Sequence, residues 1–232
     1  MNSRLRKAIL DNLPCVPGYL LDLPSGNGWL AHAAGKKGHR VLAGDLYPYG
    51  IKGLRFFLCD LNSGLPIRSN SIDYIYCCVG IEHTQNTHLV LSEFSRILKS
   101  DAVVILTFPN ILNIGSRFKF LFFGRFLSFP HLYEPPDGKT GEYKHEHINP
   151  VSVSQLCYIA SKYDLIWDGF LPQSYEMKKW VRRIWSLPVF QMIGRVEQLR
   201  ASNQSKKLLW SILSSRECLL QDHVIARFKK RT

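Results

Sequence analysis

The sequence lacks any run of about 18 apolar residues, so it predicts no membrane-spanning segment. Residues 1–18 are amphipathic but lack the continuous apolar core of a secretory signal peptide. The six cysteines form no C-x-x-C pair, which excludes the usual spacing of zinc and dithiol sites; we expect reduced, mostly buried thiols. Internal repeats and low-complexity runs are also missing. These absences favour a cytoplasmic globular protein.

Acidic residues are scarce in one part of the chain only. Residues 172–232 carry 13 Lys and Arg against 4 acids, whereas residues 1–171 carry 17 against 14, so most of the net charge of +12 lies near the carboxyl end. With 232 residues and 46% hydrophobic content, the chain can form one large domain with a sizeable core. Its basic part suits an anionic partner such as a membrane surface or, less well, nucleic acid.

Residues 19–45 have the pattern of a strand, a turn, a helix and a second strand. Apolar residues 19–23 break into Pro24-Ser25-Gly26-Asn27-Gly28, and the second strand ends at Asp45. Glycines allow a tight turn and close approach of a ligand, and the N–H groups that open the helix point into the same space. A carboxylate at the end of the second strand can accept hydrogen bonds from ribose hydroxyls. The pattern therefore predicts a nucleoside site.

The kind of nucleoside depends on Asp22. Residues 26–31, Gly-Asn-Gly-Trp-Leu-Ala, also fit the G-x-G-x-x-A fingerprint of dinucleotide-binding proteins, so a nicotinamide-dependent oxidoreductase is one alternative. A carboxylate four residues before Gly26 would repel a diphosphate, but it would attract a positively charged ligand. The sequence thus favours a cationic nucleoside.

The segment Asp22-Leu23-Pro24-Ser25-Gly26-Asn27-Gly28 resembles the first motif of the class I S-adenosylmethionine-dependent methyltransferases, Asp/Glu-x-Gly-x-Gly-x-Gly, with Pro24 in place of the first glycine. The resemblance implies a Rossmann-like α/β fold: a seven-stranded, mostly parallel sheet with helices on both faces and an antiparallel last strand. It also implies S-adenosylmethionine as cofactor, with Asp22, Pro24, Gly26 and Gly28 around its methionine end and Asp45 and Leu46 at the ribose.

Three further strands complete this core, which we place at residues 19–110. Residues 54–59 lead into Asp60-Leu61, which the resemblance assigns to the adenine; alternatively, Asp60 only caps a turn with the following polar residues. Residues 72–79 read as a buried fourth strand whose carboxyl end, Cys78 and Val79, would border the cofactor. A helix capped by Asn86 or Thr87 follows, and residues 102–108 predict the fifth strand.

Glu82-His83, just after the fourth strand, resembles a Glu-His pair in ubiquinone-biosynthesis O-methyltransferases. Some of those enzymes have a further Glu three residues before the pair, in a group thought to hold a divalent metal. Val79 stands at that place here, so we expect no metal site. His83 suits a general base acting on the acceptor, oriented by Glu82. The alternative is that both side chains bond backbone groups at the helix entrance.

Two insertions are predicted outside this core. Residues 111–150 include six phenylalanines among basic residues and are long for a connection, as lids and substrate walls often are. The alternative is a hydrophobic subdomain that packs on the sheet edge. In this insertion His147 is a second candidate catalytic residue, because related enzymes often show a histidine shortly before the next helix. That helix is expected at residues 153–162, with strands at 165–170 and 223–228.

The second insertion covers residues 172–218. Within it, residues 176–186 place apolar side chains, two of them tryptophans, opposite four basic ones, a pattern typical of peripheral contact with an anionic membrane. The alternatives are packing on the domain, packing on a second subunit in an oligomer, or nucleic-acid binding.

The sequence therefore predicts a single domain over residues 1–232 that methylates a small-molecule, lipid-linked or glycan acceptor in one step. Besides the oxidoreductase, a non-catalytic adaptor that keeps the cofactor fold stays open as an alternative.

Overall fold

A computed structural model describes residues 3–48, 53–129, 147–174 and 187–232. Its centre is a seven-stranded sheet with the order β3-β2-β1-β4-β5-β7-β6, in which β7 runs antiparallel to both of its neighbours and the other pairings are parallel. The strands are β1 (Tyr19–Asp22), β2 (Arg40–Asp45), β3 (Arg55–Leu58), β4 (Ile72–Cys78), β5 (Leu98–Pro109), β6 (Leu165–Phe170) and β7 (His223–Lys230). The predicted fold class is confirmed.

Helices flank several of the strands, and the described parts of both insertions are also helical. They are α1 (Ser3–Asp11), α2 (Trp29–Lys36), α3 (Thr87–Ile97), α4 (Ile114–Phe123), α5 (Val153–Ser161), α6 (Leu187–Arg200), α7 (Gln204–Leu213) and α8 (Arg216–Leu220), with a 3₁₀ turn at Ile81–His83. Asn86 caps α3 by accepting a hydrogen bond from the Leu89 N–H, as expected. Among the described residues, none of the helices has the length and apolarity needed to cross a bilayer.

The sheet separates two hydrophobic layers because successive strand residues point to opposite faces. On one face, Cys77 joins a cluster with apolar side chains of α3 and α5. On the other face, Cys78 joins a cluster with side chains of α1 and α2. None of the six cysteines forms a disulfide. The sheet is thus held between helices on both sides.

Some boundaries differ from the predicted ones. Strand β5 begins at Leu98, which pairs with Ile72, whereas the sequence predicts that it starts at Ala102. An apolar residue at a helix-to-strand junction fits either element, and pairing with β4 decides the outcome here. The predicted basic helix at 176–186 lies outside the described residues.

Candidate active site

A cleft of about 530 Å³ opens at the carboxyl ends of β1, β2, β3 and β4. Strand β1 pairs with β2 on one side and β4 on the other, so the cleft lies where the strand order reverses, the usual ligand position in open α/β sheets. Eight of the ten residues predicted for the cofactor line it, together with His83. Those eight are Pro24, Gly26, Asp45, Leu46, Asp60, Leu61, Cys78 and Val79.

The turn after β1 forms one wall of this cleft. Gly26 has a φ of +51°, and a Cβ atom added to it would meet no atom within 4 Å, so its backbone borders open space. Gly28, with a φ of +73°, is the N-cap of α2 and does not line the cleft. Both glycines occupy the left-handed region that other residues rarely adopt. Gly26 therefore offers a ligand close access to the main chain, whereas Gly28 shapes the turn.

Asp45 ties this turn to the end of β2. Its Oδ2 accepts a hydrogen bond from the Gly26 N–H at 2.8 Å, and its Oδ1 accepts one from the Tyr47 N–H at 3.2 Å. The side chain is 5% exposed. Because each carboxylate oxygen has about two lone-pair positions, Asp45 can still accept hydrogen bonds from ligand hydroxyls.

Asp22 lies behind the turn and does not line the cleft. Its residue exposure is 1%, and its Oδ2 accepts a hydrogen bond from the Ala31 N–H at 3.1 Å. Burial raises the pKa of Asp22 to about 8, and the nearby charge of Asp45 adds to that rise. Asp22 thus stabilises the first turn of α2 by its hydrogen bond. It does not contact the cleft, so any effect on a ligand would be electrostatic and would act across the turn.

Asp60 fixes a turn and also faces the cleft. Its Oδ1 accepts hydrogen bonds from the backbone N–H and side-chain Nδ2 of Asn62, which fixes the turn after β3. The half-buried side chain also lines the cleft next to Leu61.

The turn after β4 is strained and tightly packed. Val79 has a φ of +56°, which is unfavourable for a β-branched residue, and its N–H donates to the carbonyl and hydroxyl oxygens of Thr107. A Cβ atom added to Gly80 would lie 2.3 Å from Cδ of Pro24. The turns after β1 and β4 therefore touch, and proline rather than glycine at position 24 supplies that contact.

Glu82, His83 and His147, here called the Glu/His cluster, meet beside the cleft. One potential metal-ligating atom of each lies within 4.8 Å of the others, and the two imidazole centroids are 4.9 Å apart. The carbonyl of Glu82 accepts hydrogen bonds from the N–H groups of Ile148 and Asn149, both at 3.0 Å, which brings His147 to this position. His83 lines the cleft, whereas Glu82 and His147 stand behind it.

The Glu82 side chain is fully buried, and neither of its carboxylate oxygens has a hydrogen-bond partner among the described residues. Burial raises the pKa of Glu82 to about 8. His147 donates from Nδ1 to the carbonyl of Ser128 at 2.7 Å, since a carbonyl can only accept. The cluster thus combines a buried carboxyl group with an imidazole of fixed orientation.

Sequence reasoning missed several residues of the cleft. Arg6 of α1 lines it, and the Arg6 guanidinium stands 5.1 Å from the centre of the Trp29 ring, which also lines the cleft. The Ser25 hydroxyl is buried without a hydrogen-bond partner in the described part of the chain. Ser25 and Trp29 flank the glycine turn and could have been found by position, but no sequence signal places α1 over the cleft.

Comparison with known proteins bears on this site. A family model described as a methyltransferase domain matches residues 21–106, from β1 to most of β5. No curated protein matches the sequence. An S-adenosylmethionine-dependent methyltransferase from Mesorhizobium loti is similar in structure, with a TM-score of 0.59, 11% identity and 99% of each chain covered. The YcgJ protein of Bacillus subtilis has a TM-score of 0.59 and 16% identity over 97% of each chain.

A third similar structure is phosphoethanolamine N-methyltransferase 2 from Haemonchus contortus, solved in complex with S-adenosyl-L-methionine. Its TM-score is 0.53 at 16% identity, covering 99% of the present chain and 52% of the Haemonchus chain. At such identities these likenesses show a shared fold. The matched family model covers the strands and turns that form the cleft.

Proposed function

We propose that this chain is a methyltransferase that binds S-adenosylmethionine in the cleft, because it has the fold of the class I S-adenosylmethionine-dependent methyltransferases and its residues 21–106 match a methyltransferase-domain family model. The observation that carries the proposal is the convergence of the predicted cofactor residues of four strands on one cavity. When bound, S-adenosylmethionine supplies an electrophilic methyl group on a positively charged sulfur.

The residues of the cleft fit this cofactor. Gly26 leaves an open cradle for a ligand, and Asp45 has spare acceptor positions for ribose hydroxyls. The carboxylates of Asp45 and Asp60 both line the cavity. Two carboxylates in the cavity favour a cationic nucleoside over the diphosphate of NAD. This charge pattern supports the methyltransferase over the oxidoreductase.

The acceptor would bind at the end of the cleft formed by the turn after β4. We assign His83 to contact with the acceptor because it is the member of the Glu/His cluster that lines the cavity. Glu82 and His147 position His83 and complete the cluster from behind. A one-step transfer mainly requires that the nucleophilic atom be aligned with the methyl group and that water be excluded.

A hydrophobic or lipid-linked acceptor is supported by the surface of α4. Leu121, Phe122 and Phe123 are 72%, 70% and 75% exposed. Residues 111–129 contain Arg117, Lys119 and Arg125 but no acid. Exposed aromatic rings next to basic side chains suit an anionic bilayer surface, where each basic residue contributes about 1 kcal/mol. Helix α4 starts five residues after the end of β5, at the same edge of the sheet as the cleft.

The cofactor assignment is tested by calorimetry and thermal shift with S-adenosylmethionine, S-adenosylhomocysteine and NADH. We expect the first two to bind and raise the melting temperature. Asp45→Asn should weaken S-adenosylmethionine binding by about tenfold or more, since hydrogen bonds to charged groups contribute about 1.5–3 kcal/mol. Asp11→Asn, an exposed change on α1, is the matched control. Stabilisation by NADH alone would reject the proposal.

The acceptor class is tested by co-sedimentation of the full chain with vesicles of anionic or zwitterionic lipid. Binding should require anionic lipid, fall with salt and weaken strongly in the Phe122→Ser, Phe123→Ser double variant. Val16→Ser, which removes an exposed apolar side chain before β1, should leave binding unchanged. Equal sedimentation of all three proteins would contradict a membrane role for α4.

A further inference from the structure

The Glu/His cluster joins two imidazoles and one carboxylate from two distant segments of the chain, with their potential ligand atoms within 4.8 Å of one another. We infer that this cluster binds one divalent transition-metal cation through Glu82, His83 and His147. The sequence predicted no metal here because Val79 cannot serve as a third ligand. The fold supplies that third ligand from the segment that precedes α5.

Glu82 gives the first independent reason for a cation. Its side chain is fully buried, and neither carboxylate oxygen has a hydrogen-bond partner among the described residues. Buried polar groups in native proteins are nearly always satisfied, so each exception calls for an explanation such as an ion. A cation held between Glu82 and the two imidazoles would satisfy both oxygens.

His147 gives the second reason. Its Nδ1–H donates to the carbonyl of Ser128 at 2.7 Å, which leaves Nε2 as the nitrogen with a lone pair to offer. Histidines that bind metals almost always donate their other ring N–H to a carbonyl, a carboxylate or water in this way. The hydrogen bond fixes the ring orientation before any ion arrives.

The main chain holds the two segments of the cluster together. Both the Ile148 and the Asn149 N–H groups donate to the carbonyl of Glu82 at 3.0 Å, and the Asn149 side chain donates to the Thr87 hydroxyl at 2.7 Å. Ligand atoms around a tetrahedral zinc ion lie about 3.4 Å apart, given bonds of about 2.1 Å. Because the His147 ring is held by Ser128, small rotations of the Glu82 and His83 side chains would close the present cluster around an ion.

Two imidazoles and one carboxylate suit zinc, iron or cobalt, whereas magnesium and calcium prefer oxygen ligands. Three protein ligands leave room for a further ligand. Because His83 lines the cleft, that open position would serve an acceptor oxygen or a water molecule. This last point depends on the proposed function, but cation binding itself does not.

The inference is tested by titrating the metal-free full chain with Zn²⁺ in calorimetry and with Co²⁺ in visible absorption spectroscopy. We expect one equivalent to bind and the melting temperature to rise. His147→Gln should weaken Zn²⁺ binding by about 100-fold and Glu82→Gln by about tenfold or more. His88→Gln removes an exposed histidine on α3 and should leave affinity within about twofold, as should Cys15→Ser, which removes an exposed thiol.

The outcomes separate this inference from the proposed function. Absence of saturable binding, or equal Zn²⁺ affinity in wild type, His147→Gln and Glu82→Gln, overturns the metal site. Tighter binding of Mg²⁺ than of Zn²⁺ also overturns it. Melting curves without metal verify that each variant is folded. If the protein binds S-adenosylmethionine but fails to bind Zn²⁺, the metal site alone is rejected. If it binds Zn²⁺ but fails to bind S-adenosylmethionine, the proposed function alone is rejected.

Discussion

Replacement of Asp22 by Asn tests whether the buried carboxyl group behind the turn after β1 is neutral in the folded protein. In the folded protein, burial raises the pKa of Asp22 from 3.8 to about 8. In the unfolded chain the group ionises near its ordinary value. The folded state therefore keeps a proton that the unfolded state releases, and this group makes the protein less stable as the pH rises from about 4 to about 8.

The size of this effect follows from the two pKa values. Below about pH 4 both states hold the proton and Asp22 contributes no penalty. Between pH 5 and pH 8, linkage predicts a loss of about 3–4 kcal/mol in the free energy of unfolding from this group alone. Asn has nearly the same shape, can still accept from the Ala31 N–H, and does not titrate. The Asp22→Asn variant should lack this loss.

The assay is urea unfolding of both proteins at pH 5 and pH 8. The stability of Asp22→Asn relative to wild type should increase by about 3–4 kcal/mol between the two pH values. Other titrating groups are present in both proteins and cancel in this difference. A relative stability of Asp22→Asn that is the same at both pH values would refute the argument that burial keeps this carboxyl group neutral.

The pH dependence of ligand binding is a second measurement that the Asp22→Asn variant should change. A positively charged ligand near Asp22 favours the ionised carboxylate, so binding of S-adenosylmethionine to wild type should release protons and strengthen from pH 6.5 to pH 8.5. S-adenosylhomocysteine lacks the charged sulfur and should show a weaker trend. Asp22→Asn should flatten both. An equally steep trend in the variant would mean that another group is responsible.

Three further predictions concern the frame of the cleft. Gly80→Ala should lower the free energy of unfolding by about 1–3 kcal/mol and weaken cofactor binding, because its Cβ would lie 2.3 Å from Cδ of Pro24. Urea unfolding measures the first effect and calorimetry the second. Unchanged values would contradict the contact. Asn110→Ala should lower the free energy of unfolding by about 2–3 kcal/mol, because the buried Asn110 amide donates to the carbonyls of Cys218 and Gln221. Ser152→Ala removes the N-cap of α5 and should lower the free energy of unfolding by about 1 kcal/mol. Cofactor affinity should stay unchanged, so a large loss of affinity would argue against a purely local role.

Much of the fold could be predicted because its signals are local. Strand β6 was placed at residues 165–170, as observed, since an apolar segment follows a turn there. The caps Asn86 and Ser152 precede apolar helices, which is a local pattern as well. The end of β5 and the turns after β1 to β4 follow from the alternation of strands and helices. In these regions each residue's neighbours in sequence largely decide its structure.

The rest of the site depends on contacts between distant segments. No sequence pattern shows that Arg6 stands over the Trp29 ring, or that the N–H groups after His147 bond the carbonyl of Glu82. The depth of Asp22 was also not predictable, because burial depends on how α2 packs onto β1. The sequence therefore predicted most of the strand-end residues that line the cleft, but neither the depth of Asp22 nor the contribution of α1.

The connection from β4 to the Glu/His cluster bears on the choice between an enzyme and an adaptor. Cys78 at the end of β4 and Val79 just after it line the cleft, and only Gly80 and Ile81 separate Val79 from Glu82. The strained backbone of Val79 and the contact of Gly80 with Pro24 fix this short link. A protein that only binds a partner elsewhere would not need strain at this position, whereas a one-step transfer requires that cofactor and acceptor be held in alignment. The rigid link therefore favours the enzyme.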